Sequence, residues 1–126
     1  MADYLPVYTN GAEPFSATTS AAVTGGQVLY ASGNGTVAPT AGANGAYVGV
    51  AAHDAASGAR VTVWPVSGVI HETTSPAGVT AGAALTSSTS GGVDSGTLGT
   101  IAAAGTLMGT ALTTAAAGAK TRWIGR

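Results

Sequence analysis

The feature that most constrains this chain is that it repeats itself. Shifted by 60 positions, residues 48–60 overlay residues 108–120. Gly49/Gly109, Ala51/Ala111, Gly58/Gly118 and Ala59/Ala119 are identical, and Arg60/Lys120 keeps the charge. A shift of 56 sets Val23-Thr24 on Val79-Thr80, Gly26 on Gly82, Leu29 on Leu85, Gly35 on Gly91 and Val37 on Val93. The order is the same in both copies, and the change of shift implies four residues inserted in the second. An alanine-rich background inflates chance identity, so the weight rests on the Val-Thr-x-Gly and Gly-Ala-basic blocks. Two tandem units, about 22–72 and 78–126, are too few for a solenoid, which needs at least three. They should therefore pack on each other as one small domain with a pseudo-two-fold relation.

Each copy reads as strands. Asn34-Gly35, between Val28-Leu29-Tyr30 and Thr36-Val37, is a two-residue hairpin signal in which both central residues favour positive φ. Arg60-Val61-Thr62-Val63-Trp64 alternates, with Val61 and Val63 on one face. Residues 54–58 form a turn, and Pro65 ends pairing or marks an edge. The runs Ala102-Ala103-Ala104 and Ala115-Ala116-Ala117 have high helix propensity, but Gly105 and Gly118 cut them short, so both are expected as compact turns. The fold class is all-β: a small β-barrel or β-tulip-like domain over residues 21–126, preceded by an extended N-terminal arm over residues 1–20.

Composition agrees. The chain has 126 residues, of which 27 are Ala, 20 Gly, 19 Thr and 10 Ser, leaving only 22 Leu, Ile, Val and Phe to build a core. Disorder would also require high net charge, and the net charge is −1. A thin core of this kind suits a protein completed by oligomerisation or docking. Four basic residues in total give no electrostatic footprint for nucleic acid. No apolar run approaches a membrane span, and the start lacks the basic-then-apolar order of a signal peptide. With no cysteine, disulfides, thiolate metal sites and cysteine nucleophiles are excluded.

Candidate chemistry is sparse. Ser90-Gly91-Gly92-Val93-Asp94-Ser95 spells an adenylylating phosphate loop, which should leave a buried strand and open a helix. Here Ser87-Ser88-Thr89 precedes it, two glycines follow, and the repeat makes it a hairpin turn. His53-Asp54 and His71-Glu72 resemble metal-binding pairs, but catalytic zinc usually takes three protein ligands and the chain has two histidines. No nucleophile elbow and no dinucleotide fingerprint occur. The reading is of a non-enzyme with no cofactor and no metal. Trp64 and Trp123 sit near the ends of equivalent strands. With Tyr47 and Val63 they are read as core or subunit-interface anchors; a sugar-stacking platform is the other reading of the two indoles.

The arm carries Tyr4, Leu5, Pro6, Val7, Tyr8 and Phe15, with Pro6 and Pro14 keeping the backbone extended. Such anchors either fold back on their own domain or dock on another chain. The polar spacing between them favours docking.

At Gly45-Ala46-Tyr47-Val48-Gly49-Val50-Ala51, then Ala59-Arg60-Val61-Thr62-Val63-Trp64, then Val66-Ser67-Gly68-Val69-Ile70, the chain resembles the head-decoration proteins of lambda-like tailed phages and the related capsid cement family. Thr24-Gly25-Gly26-Gln27-Val28-Leu29-Tyr30 is similar to that family's first strand. The resemblance covers residues 21–72 and reaches the C-terminus only through the internal repeat. It implies a homotrimer on the outer surface of the virion's capsid, assembled in the host cytoplasm, bridging major capsid protein subunits against internal DNA pressure. It also implies that the arm binds the major capsid protein by adding a strand, with no nucleic acid or membrane partner. The alternative is a carbohydrate- or receptor-binding module of a phage head or tail fibre.

Overall fold

The computed structural model describes residues 3–126. The first unit comprises β1 (Phe15–Thr19), β2 (Val28–Gly33), β3 (Thr36–Pro39), β4 (Tyr47–Ala51) and β5 (Arg60–Trp64). These strands close into a barrel in the order β1-β3-β2-β4-β5. The second unit comprises β6 (Ile70–Thr74), β7 (Ala84–Ser87), β8 (Val93–Gly96), a helix α1 (Leu98–Ala104), β9 (Gly109–Ala111) and β10 (Lys120–Gly125). Its strands form a sheet in the order β6-β10-β9-β7-β8. The protein is all-β apart from α1 and a 3-10 turn at Thr89–Gly91.

The repeat survives in three dimensions in several backbone bonds. The bridge Val23–Ala55 recurs as Val79–Ala115. The Gly58 N–H donates to the Thr19 carbonyl at 2.9 Å, and the Gly118 N–H donates to the Ser75 carbonyl at 2.8 Å. Phe15 lies opposite Val63, and His71 lies opposite Trp123. These pairs extend the equivalence upstream of the sequence match, making β1 and β6 counterparts. Phe15–Thr19, assigned to the arm by sequence, is a barrel strand. Residues 70–74, assigned to the first unit, open the second. The physical reason is that each strand is held by pairing with a distant partner, β5 or β10, and needs little side-chain likeness to do so.

The first unit is closed and the second open, and one position on the seam differs in its capacity to pair. In the first unit the Ser20 N–H donates to the Val37 carbonyl at 2.9 Å, which helps close β1 on β3. The counterpart of Ser20 is Pro76, and proline has no N–H to donate. The Pro76 ring instead packs against Gly92, just before β8. The β6–β8 seam stays unzipped.

Period-two alternation divides each strand between two cores. Leu29, Val37, Ala51, Val61 and Val63 fill the first barrel with Val23. Their outward neighbours Val28 and Val50 are fully buried against the second unit's core of Val79, Leu85, Val93, Met108, Ala111, Ala115 and Trp123. The contact is not reciprocal. The second unit's counterparts of Val28 and Val50 are Ala84 and Thr110, both half-buried, and no residue of that unit belongs to the first core. Polar bridges run both ways: the Gly91 N–H donates to the Thr40 carbonyl at 2.9 Å and the Ser87 hydroxyl to the Gly42 carbonyl at 2.7 Å. The Thr40 hydroxyl donates to the Ser88 carbonyl at 3.0 Å, and the Gln27 amide donates to the Ser90 carbonyl at 2.9 Å. The apolar contact between the units is thus one-sided, where a pseudo-two-fold relation would make it reciprocal.

The close approach of strands also explains the most specific identity in the repeat. A side chain at Gly49 would collide with the Trp64 carbonyl, and one at Gly109 with the Ile124 carbonyl. Two local expectations need correction. In the Asn34-Gly35 turn only Gly35 takes positive φ, at 74°, and a register shift between Ala31 and Gly33 absorbs the difference. The alanine run before Gly105 forms α1 rather than a turn. Ile101 from the helix is buried over Gly96, so tertiary packing supports what alanine propensity favours.

Candidate functional site

The N-terminal segment is laid across both units. The Tyr4 N–H donates to the Ala52 carbonyl at 2.7 Å in the first unit. The Val7 N–H donates to the Ile70 carbonyl at 2.8 Å, and the Ile70 N–H donates to the Tyr8 carbonyl at 2.9 Å. Residues 7 and 8 thus pair with the outer edge of β6. The contact is an isolated antiparallel bridge between Tyr8 and Ile70, not an added strand. Open edges invite such pairing.

Tyr4 locks the segment. Its hydroxyl lies 2.6 Å from His71 Nδ1, and it accepts a hydrogen bond from the Glu72 N–H at 3.1 Å. His71 Nε2 lies 2.8 Å from the Pro65 carbonyl. A carbonyl can only accept, so Nε2 carries the proton and Nδ1 accepts from the Tyr4 hydroxyl. The rings stack in sequence: Tyr4 to His71 at 5.8 Å, then His71 to Trp123 at 5.2 Å. Trp123 is fully buried and donates from its indole to the Thr73 hydroxyl at 3.0 Å. Burial raises the Tyr4 phenol well above its ordinary range, offset in part by the hydrogen bond from Glu72. Burial lowers His71 to about 4, against the opposing effect of its bond to Pro65.

These shifts set a pH dependence. A histidine held neutral in the folded state binds a proton more readily once unfolded. Its stabilisation is complete above about 6.5 and is lost as pH falls from there to about 4. The expected loss is roughly 3 kcal/mol. Urea unfolding at a series of pH values between 7 and 4 should show that slope in the parent, flattened in His71→Gln.

With Tyr4 turned inward, the segment's other apolar side chains face solvent. Leu5 is 76% exposed, Tyr8 54%, Val7 47% and Phe15 43%, four of the six large hydrophobics so exposed among the described residues. Pro6 is half-buried. Next to them lies a groove of about 650 Å³, lined by Asp3, Tyr4, Leu5, Ala52, His53, Thr62 and Trp64. The residues read as core or interface anchors separate here. Val63 and Trp123 are fully buried. Tyr47 joins the two units through a 2.8 Å bond from its hydroxyl to the Leu107 carbonyl. Trp64 is half-buried, on the groove wall.

The candidate polar motifs serve the fold. His53 Nδ1 donates to the Asp54 carbonyl at 2.8 Å, and Nε2 accepts from the Thr62 N–H at 3.2 Å. The Asp54 carboxylate accepts from the Gly25 N–H at 2.9 Å. Glu72 pairs with Arg122 at 3.0 Å, well exposed. Among the described residues no cluster of three metal-ligating side chains forms. Residues 90–92 link β7 to β8 and residues 93–95 lie in β8 itself, so the motif runs into a strand rather than a helix. His71 and Thr73, the partners that fix Tyr4 and Trp123, were not singled out for these roles by sequence. Neither were Asp3 and Thr62 on the groove.

The described residues thus form a two-unit β scaffold with a docked N-terminal segment, an exposed apolar fringe and polar motifs spent on turns. The chain belongs to the phage cement protein family, whose model matches residues 14–125, from the residue before β1 to the end of β10. It is a tailed-phage capsid decoration protein, a non-enzymatic component of the virion surface. Among solved structures, the chain is similar to the N base of the head fiber gp8.5 of bacteriophage phi29. The TM-score is 0.67 at 18% identity, covering 90% of this chain and 93% of that one. No curated protein matches the chain significantly.

Proposed function

We propose that this decoration protein is the head-seated module of a surface appendage, presenting a receptor- or carbohydrate-contacting face outward from the capsid. The observation that carries the reading is the fold shared with a head-fiber base over nearly the full length of both chains. The groove at Trp64 supports it, since a purely adhesive block has no need of a concave aromatic surface. The second reading is trimeric cement, in which the N-terminal segment grips the major capsid protein and three weak contacts reinforce one another through effective concentration. The family match and the exposed Leu5, Val7, Tyr8 and Phe15 favour it.

Imaging undecorated heads mixed with the purified protein separates the two. The appendage reading expects isolated projecting densities with the Trp64 groove open to solvent. The cement reading expects threefold densities with residues 5–15 pressed on the capsid protein. Heads that remain bare would refute both.

A further inference from the structure

We infer that the groove between the N-terminal segment and β5 is a saccharide subsite for uncharged or amino sugars. The inference deepens the appendage reading by naming what its outward face would hold. Sugar recognition asks for an aromatic plate to meet the C–H face of a pyranose, with polar groups at the plate's edge for its hydroxyls. Trp64 supplies the plate. It is the indole available for the purpose, because Trp123 is fully buried and already bonded to Thr73. Trp64 is half-buried on the groove, and no hydrogen bond from its indole N–H is found among the described residues. Thr62 lies two residues back on the same face of β5, about 7 Å away along the strand, on the groove wall beside the plate. The Thr62 hydroxyl is likewise without a partner among the described residues.

Asp3 is exposed and is the one carboxylate lining the groove among the described residues. A carboxylate there accepts from vicinal hydroxyls or an ammonium and repels acidic sugars. His53 spends both ring nitrogens on backbone groups, so it forms a fixed wall. Leu5 and Tyr4 supply the opposite side, and about 650 Å³ falls within the range of small-ligand clefts.

The test uses the full-length protein, so it stands apart from whether heads are bound. With Trp123 shielded, a change in emission or acrylamide quenching reports Trp64. Titration with glucose, galactose and N-acetylglucosamine oligomers, and with glucosamine, is expected to shift Trp64 emission and protect it from quencher, saturating in the millimolar range. Sialyllactose should do neither. On an immobilised-glycan surface, Trp64→Ala should weaken binding at least tenfold. Thr62→Val, which preserves shape and folding, should weaken it several-fold with an unchanged melting temperature. Absence of response to every neutral or amino sugar overturns the inference, as does binding that survives Trp64→Ala. Protection of Trp64 that arises only on adding heads also overturns it, and assigns the groove to a capsid-protein side chain.

Discussion

Removing residues 1–20 is expected to abolish the first barrel, whereas removing residues 1–13 leaves it standing. Phe15–Thr19 pairs with β5 at four registered positions and with β3 at two. The Thr19 hydroxyl also donates to the Ala56 carbonyl at 2.6 Å. Without that strand the barrel has two unpaired edges and an opened core, and Val28 and Val50 lose their backing. The chain beginning at residue 21 should show depressed near-ultraviolet circular dichroism and no cooperative melt. The chain beginning at residue 14 loses Tyr4 and the covering of β6, at about 3 kcal/mol for a half-buried aromatic with its hydrogen bonds. It should still unfold cooperatively, at lower urea. A cooperative melt from the shorter chain would show that β1 is dispensable.

Trp123→Ala is expected to destabilise by about 3–5 kcal/mol, the range for deleting a large buried aromatic. Three losses coincide at this position. The indole fills the second unit's core, it is the plate beneath His71, and it bonds the Thr73 hydroxyl. In a protein with typical stability this removes a large share of the whole. The transition midpoint in urea should fall with little change in slope. Trp123→Phe should cost less, retaining ring contact but stranding the Thr73 hydroxyl. A midpoint unchanged by Trp123→Ala would mean that the second unit's core does not depend on it.

The sequence revealed the duplication, the all-β class and the alternation of Val61 and Val63 because these follow from local periodicity and from backbone close approach at Gly49 and Gly109. It did not reveal that β1 and β6 are counterparts. Phe15 and His71 occupy one register position yet share no chemistry, and pairing partners 48 and 52 residues downstream leave no local trace. The fate of Tyr4 was hidden for a related reason. An aromatic in a Pro-containing leader looks alike whether it seeks another chain or its own histidine, and only the fold sets His71 against Trp123. The two tryptophans resembled each other in sequence position, but they occupy successive registers of equivalent strands, Trp123 opposite Ala111 and Trp64 opposite Val50. One register faces inward and the other outward, so one indole is spent on the core and the other is half-buried on the groove wall.

The one-sided apolar contact between the units has a further consequence. A surface that receives its neighbour without returning the same surface can in principle be extended copy after copy, the geometry of open-ended fibres. Growth of that kind would require Val28 and Val50 to recur as paired aliphatics on the next unit, but Ala84 and Thr110 stand there. The second unit's corresponding face, with a small alanine and a polar threonine both half-buried, offers less apolar area to a neighbour than Val28 and Val50 offer the second unit.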